Sequence, residues 1–264
     1  MGGGSDAGYD PVRLAEAVRR AVSRRNVYGE ECRRYFRFRG GRWYGGIATG
    51  DVIGCNLRCG FCWSWYFRDS YGKGVMLSPE EAASRLAKIA RKRGYGLVRL
   101  SGGEPTLTRD HLIRLAELCT GMGFKFVLET NGILLGYSKE YAEEVAGIKG
   151  VIVRVSFKGV TPREFRRLTG AREEYFNMQF DALRNLIRAG LEPGEEVFAA
   201  AMISFSEDED IARFVLKLTE IDERLANVDW EVVFLYPHVK EILARNGLKP
   251  KRYVLPDSIP SSVV

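Results

Sequence analysis

The sequence predicts an α/β protein built on parallel strands, and three observations carry that expectation. Six short apolar, β-rich runs alternate with amphipathic helical stretches. Several of those runs are apolar throughout, as strands covered on both faces are. No repeat and no low-complexity linker divides the chain. Six βα units in a row imply a parallel sheet with right-handed crossovers, either an open doubly wound sheet or a barrel, and periodicity does not separate the two. The 264 residues, 45% hydrophobic and 28% charged, form a core-making globular chain and exclude a disordered polymer, a collagen-like fibre or a disulfide miniprotein.

The strands are expected at 46–53, 97–101, 125–130, 151–157, 197–204 and 230–235. Between them, Ser78-Pro79-Glu80-Glu81 opens a helix with a capping-box Ser, Pro at the first helical position and Glu three residues on. A helix over about 110–122 sets Leu112, Leu115, Cys119 and Met122 on one face. Another over about 173–189 aligns Phe176, Phe180, Leu183 and Ile187 before Gly190 ends it. Further helices are expected at 139–147, 207–219 and 238–246. The simplest division is a short basic helical N-terminal extension over 1–42, one α/β domain over 43–248, and an irregular tail over 249–264 that wraps the surface or frays.

Lys plus Arg is 40 against 34 Asp plus Glu, a formal net charge of +6. The excess is local: between Arg13 and Arg42 there are ten Arg and three acids, Glu16, Glu30 and Glu31. An anionic partner, such as RNA, a nucleotide or other anionic substrate, or an acidic protein face, is one reading of residues 13–42. The other is a solvated helix face, since Leu14, Val18, Ala21 and Val22 form an apolar stripe and the arginines project elsewhere. No apolar run is long enough to span a membrane and the opening MGGGSDAGY lacks a secretory pattern, so a cytoplasmic protein is expected.

Three of the five cysteines, Cys55, Cys59 and Cys62, stand in CNLRCGFC directly after the first strand. A loop of that length can curl round a compact cluster and give one thiolate to each of three irons. The fourth iron of a 4Fe–4S cube then lacks a local protein ligand, and an open iron can bind a substrate or cofactor. Structural zinc would need a fourth ligand, such as Cys32, His111 or His238, and the usual two separated pairs are absent. At the end of the second strand comes Ser101-Gly102-Gly103-Glu104-Pro105, whose glycines let a ligand approach bare backbone.

With Cys55, Cys59 and Cys62, the aromatic Phe61 and the GGEP stretch Gly102–Pro105, the chain resembles the radical S-adenosylmethionine superfamily over roughly 46–240. The resemblance implies a partial (β/α)6 barrel of the TIM type, open along one side. It also implies a 4Fe–4S cluster on the three cysteines, with S-adenosylmethionine on the open iron. One electron then splits the sulfonium, and a 5′-deoxyadenosyl radical abstracts hydrogen from a substrate. Cofactor contacts are implied for Phe61 near the adenine, for Gly102, Gly103 and Glu104 at the methionyl group, and for Glu129, Asn131, Ser156 and Lys158 at the next two strand ends. An external one-electron donor, a ferredoxin or flavodoxin, is implied as well. Within the superfamily the segments ETNG (129–132), SFK (156–158), LTG (168–170) and LYPH (235–238) look like those of small glycyl-radical-enzyme activating enzymes. Activation of such an enzyme and modification of RNA or a nucleotide are therefore the specific roles to weigh. A zinc-stapled nucleic-acid-binding module is the non-catalytic alternative. The aromatic run Trp63–Phe67 either roofs the cluster, docks a substrate, or packs on the first helix. Cys119 reads as a core thiol, Cys32 as a semi-buried residue or a second-site thiol, His111 as serving a helix start, and His238 as lining the mouth.

Overall fold

The computed structural model describes residues 8–258. Residues 1–7 and 259–264 lie outside them, and with them most of the opening stretch and the last part of the tail.

The chain runs α1 (Pro11–Val22), β1 (Ser23–Arg25), β2 (Glu31–Gly41), β3 (Ile47–Val52), α2 (Trp65–Arg68), β4 (Val75–Leu77), α3 (Pro79–Arg93), β5 (Leu97–Gly102) and α4 (Arg109–Gly121). It continues through β6 (Lys125–Thr130), α5 (Ile133–Tyr137), α6 (Lys139–Ala146), β7 (Val151–Phe157), α7 (Pro162–Thr169) and α8 (Phe176–Arg188). Last come β8 (Val197–Met202), α9 (Asp208–Thr219), β9 (Asp229–Glu231), β10 (Val233–Phe234), α10 (Pro237–Arg245) and β11 (Tyr253–Val254).

The six expected strands are the six parallel neighbours β3, β5, β6, β7, β8 and β9, in that order. Their helix-facing side chains, among them Leu100, Phe126, Leu128, Val153 and Val155, join Leu86, Leu115, Phe165, Phe180 and Leu183 in one core. The reason is burial on both faces: the helices cover one side and the sheet curls over the other. Trp43, between β2 and β3, meets Phe234 of β10 edge-on at 6.0 Å. This is the α/β, partly closed barrel that the sequence implied.

Two expectations need correction. The N-terminal stretch is helical only over α1, which Asp10 caps through Val12 and Arg13 N–H. Beyond it, Glu31–Gly41 is an 11-residue strand antiparallel to β3, with β1 and β4 paired to it. The alternation Phe36-Arg37-Phe38-Arg39 carries the strand period, but its arginines read as a charge run. The tail is also less irregular than expected. Tyr253–Val254 pairs parallel with Val233–Phe234, and the Lys251 amide donates to Ser204 O at 2.6 Å. The sixth expected strand splits there, because after Glu231 the chain leaves the main sheet to hold the tail.

Candidate active site

The cysteine loop leaves β3 through Gly54, whose φ of +94° only glycine adopts without strain. It is pinned at four places. Gly54 N–H donates to Arg68 O at 2.9 Å, and Gly54 O accepts from the Glu104 amide at 2.7 Å. Gly60 N–H donates to Leu168 O at 2.9 Å, and Arg58 N–H to the Tyr9 hydroxyl at 2.8 Å. Tyr9 in turn donates to Thr169 O and pairs with the backbone of Gly170 and Arg172. The LTG segment is thus a floor on which the N-terminal strap and the cysteine loop both rest.

The loop reaches three strand ends. Cys62 Sγ lies 3.1 Å from Ser64 Oγ, which donates to Gly102 O at the end of β5. Cys55 Sγ lies 4.0 Å from Asn131 Nδ2 at the end of β6, and Asn131 donates to Asn56 Oδ1 at 2.7 Å. Lys158 beyond β7 acts electrostatically on Cys59. Burial pushes the Cys55 thiol up to about 11, with Glu104 pushing the same way, and Cys59 up to about 12. Arg68 opposes the rise at both, and Lys158 at Cys59. Holding iron would require both as thiolates, so the metal's charge must replace their protons.

The other expected cofactor residues divide into two sets. Asn131, Lys158 and the Gly102–Gly103 backbone lie about the cysteine loop, whereas Ser156 faces Lys158 and Glu231 in the barrel interior. The amides of Gly103 and Glu104 are spent on Val52 O and Gly54 O, so a ligand ammonium would be met there by carbonyls, which suit it. Glu104 faces inward: its carboxylate accepts from Thr106 N and Oγ1, Thr130 Oγ1 and Asn131 N, joining the ends of β5 and β6. Phe61 is buried against Phe205 at 5.7 Å. Glu129 points into the barrel, paired with Arg99 at 2.6 Å and accepting from Tyr44 at 2.8 Å.

That interior is charged. Arg37 and Arg39 share the fully buried Asp51, at 2.6 and 2.9 Å. Arg154 bridges Asp229 and Glu231, while Ser156 and Lys158 also bind Glu231. Burial alone would raise Glu231, but Lys158 and Arg154 with two hydrogen bonds hold it at about 2. Tyr44 has φ +57°, the one non-glycine residue at positive φ among those described, a strain spent to set its hydroxyl on Glu129. At the mouth, Trp65 Nε1 donates to His238 O, His238 Nε2 lies 2.9 Å from Trp63 O, and Tyr236 stacks on His238. The aromatic run therefore divides: Phe67 stacks on Phe36 beneath α1, and Trp63, Trp65 and Tyr66 roof the opening.

Several residues that build this site were not evident from the sequence. Arg33, fully buried, donates to Ile53 O, Glu104 O, Pro105 O and Thr108 Oγ1, tying the cysteine loop to the GGEP turn. Gln179 donates to Asn131 O and Ser156 O. Its position within the apolar face Phe176–Phe180–Leu183 was a readable signal of a buried polar group.

Buried donors without partners show that the site fits an electron-rich group. Asn56 Nδ2 and Arg68 Nη1, both beside the cysteine loop, have no acceptor among the described residues. Sulfide, thiolate or carboxylate would satisfy them. Among the described residues no three His, Cys, Asp or Glu side chains converge on one ion. An iron–sulfur cube takes one thiolate per corner, so its ligands need not converge on a single ion. When bound, the cluster supplies the electron that splits S-adenosylmethionine; the chain's part is to hold both and to exclude water.

Comparison with known proteins agrees with this geometry. The Radical SAM superfamily pattern matches residues 52–218. A probable GTP 3′,8-cyclase of Saccharolobus solfataricus is 27% identical over 80% of this chain and 70% of its own length. One of Sulfurisphaera tokodaii is 32% identical over 64% of this chain and 51% of its own. Streptococcus suis SuiB bound to S-adenosylmethionine superposes with a TM-score of 0.52 at 18% identity, over 79% of this chain and less than half of SuiB (45%). The chain belongs to the radical SAM superfamily, whose enzymes use a 4Fe–4S cluster to cleave S-adenosylmethionine reductively and draw on a reductant to do so.

Proposed function

We propose that Cys55, Cys59 and Cys62 hold the cluster, that S-adenosylmethionine lies between them and the ends of β5, β6 and β7, and that the hydrogen donor is a nucleotide in the barrel interior. The observation that carries the nucleotide reading is the uneven pairing at Arg37 and Arg39, two guanidinium groups on the single carboxylate of Asp51. The other interior cations are balanced, Arg99 by Glu129, and Arg154 and Lys158 by Asp229 and Glu231. One positive charge is left over near the mouth, where Arg39 lies over the Trp63 ring at 5.9 Å. A phosphate beside the arginines and a base against Trp63, Trp43 or Tyr44 would satisfy both. The curated relatives are nucleotide enzymes by name, which supports this substrate class.

Glu129 of ETNG and the LTG segment have framework roles that say nothing of a protein substrate. Glu129 is bound to Arg99 and Tyr44, and Leu168 and Thr169 offer carbonyls to Gly60 and Tyr9. The test is 5′-deoxyadenosine release by the anaerobically reconstituted protein with a panel of nucleotides, including ribose-deuterated ones. Deuterium in the deoxyadenosine methyl group, lost in Cys59→Ala, is the expected result. Stimulation by a glycyl-radical protein and by no nucleotide would overturn the substrate, and full turnover by Cys59→Ala would overturn the ligand assignment.

A further inference from the structure

Helix α1 lies between the cysteine loop and solvent. Its inner face, Ala15, Val18 and Val22, packs on Ile53, Phe67 and Leu107. It sits so close to the loop that a Cβ on Gly54, the residue before Cys55, would stand 2.8 Å from Val18 Cγ1 and 3.0 Å from Val22 Cγ1.

The outer side of this helix is basic with an apolar tip. Arg13, Arg19 and Arg20 of α1 and Arg24 and Arg25 of β1 are exposed. Arg19 and Arg25 are tied to Glu31 and Asp110, but Arg20 has only a loose contact with Glu16 at 3.9 Å, and Arg13 and Arg24 have no carboxylate partner among the described residues. Arg19, Arg20, Arg24 and Arg25 line a shallow cleft of about 470 Å³ together with Glu16, Ser23 and Glu31. Beside it the β1–β2 turn holds out Val27 and Tyr28, 93% and 85% exposed. Hydrophobic side chains held at a loop tip gain nothing from water, and a tip of this kind beside five arginines that outnumber the nearby Glu16, Glu30, Glu31 and Asp110 suits a partner of negative charge.

We propose that the outer face of α1 and the Val27–Tyr28 turn dock the acidic one-electron carrier protein that reduces the cluster. The proposal rests on the radical SAM reaction and adds where its electron enters. In the step, the carrier loses one electron and the cluster gains one, with no bond made or broken. A protein fits better than RNA because Val27 offers a phosphodiester chain nothing, while an apolar patch among carboxylates covers it. The location also leaves the roofed mouth, on Trp63 and His238, free for substrate.

The test compares reductants on the reconstituted holoenzyme. Wild type, Arg20→Glu/Arg24→Glu and Val27→Ser/Tyr28→Ser are assayed for 5′-deoxyadenosine with reduced flavodoxin, reduced ferredoxin or dithionite. Dithionite is small and needs no docking face. We expect both variants to lose about tenfold with the carrier proteins and to keep the wild-type rate with dithionite, and salt to slow only the carrier-driven reaction. Carrier-driven rates equal to wild type, or equal losses with all reductants, would each overturn the docking face. So would a wild type that dithionite reduces and neither carrier does. No deoxyadenosine from wild type even with dithionite would instead strike the reaction itself, and the docking face with it.

Discussion

Replacing Glu104 with Gln tests how the end of β5 is held to the end of β6. The carboxylate receives four donors: Thr106 N, Thr106 Oγ1 and Thr130 Oγ1 at Oε1, at 3.1, 2.7 and 2.7 Å, and Asn131 N at Oε2, at 2.8 Å. An ionised carboxylate is acceptor-only and can satisfy all four. A glutamine has one oxygen, and its best placement is at the three threonine donors. Thr130 Oγ1 is already accepting from Gly132 N at 3.1 Å, so its own proton must go to residue 104. The amide NH2 then faces the Asn131 N–H, donor against donor, in a site where Glu104 is 3% exposed. The loss is one charge-assisted hydrogen bond, about 1.5–3 kcal/mol, plus the weakening of three others from charged to neutral. A total of about 2–4 kcal/mol follows, which in a chain of this size lowers the melting temperature by roughly 4–8 °C. Urea and thermal unfolding of the metal-free chain measure it. A loss below about 0.5 kcal/mol would refute the assignment of Glu104 as the tie between the two strand ends.

Two further outcomes follow from named contacts. Burial holds the His111 imidazole at about 3, neutral between Tyr35 Oη at 2.7 Å and Glu31 O at 2.9 Å, whereas the unfolded chain takes up that proton near 6.5. Its contribution is therefore complete above about pH 6.5 and drains as the pH falls toward 3. Unfolding free energy should drop by about 2–3 kcal/mol between pH 6.5 and 4.5 from this group. His111→Gln should flatten that part of the profile in parallel urea titrations, and identical slopes would contradict the account. Gly103→Ala should cost about 3 kcal/mol or more, because the new Cβ would stand 2.1 Å from Gly54 O, and backbone cannot rotate aside as a side chain does. A variant that unfolds with the wild-type midpoint would show that the two loops are not in that contact.

The parts of this protein legible from sequence are those whose information is local. Strands β3 and β5–β8 were legible because their helix-facing positions are apolar or glycine at every second residue, as in Val98 and Leu100 or Val151, Val153 and Val155. The cysteine loop was legible because its three thiols lie within eight residues, so their spacing alone states that they share one turn. The GGEP turn was legible as a strand end where backbone is exposed to a ligand. Strand β2 was hidden, since its arginines belong to partners far along the chain: Arg33 to the GGEP turn, and Arg37 and Arg39 to Asp51. What only tertiary structure decided is the interior and the supports of the site: Arg99 against Glu129, Arg154 against Glu231, Tyr9 beneath Arg58, and Gln179 across two strand ends. A buried charge or amide needs a complement in space, and the sequence separation of that complement, 77 residues for Arg154 and Glu231, is set by how the sheet curls and by nothing in the neighbouring residues.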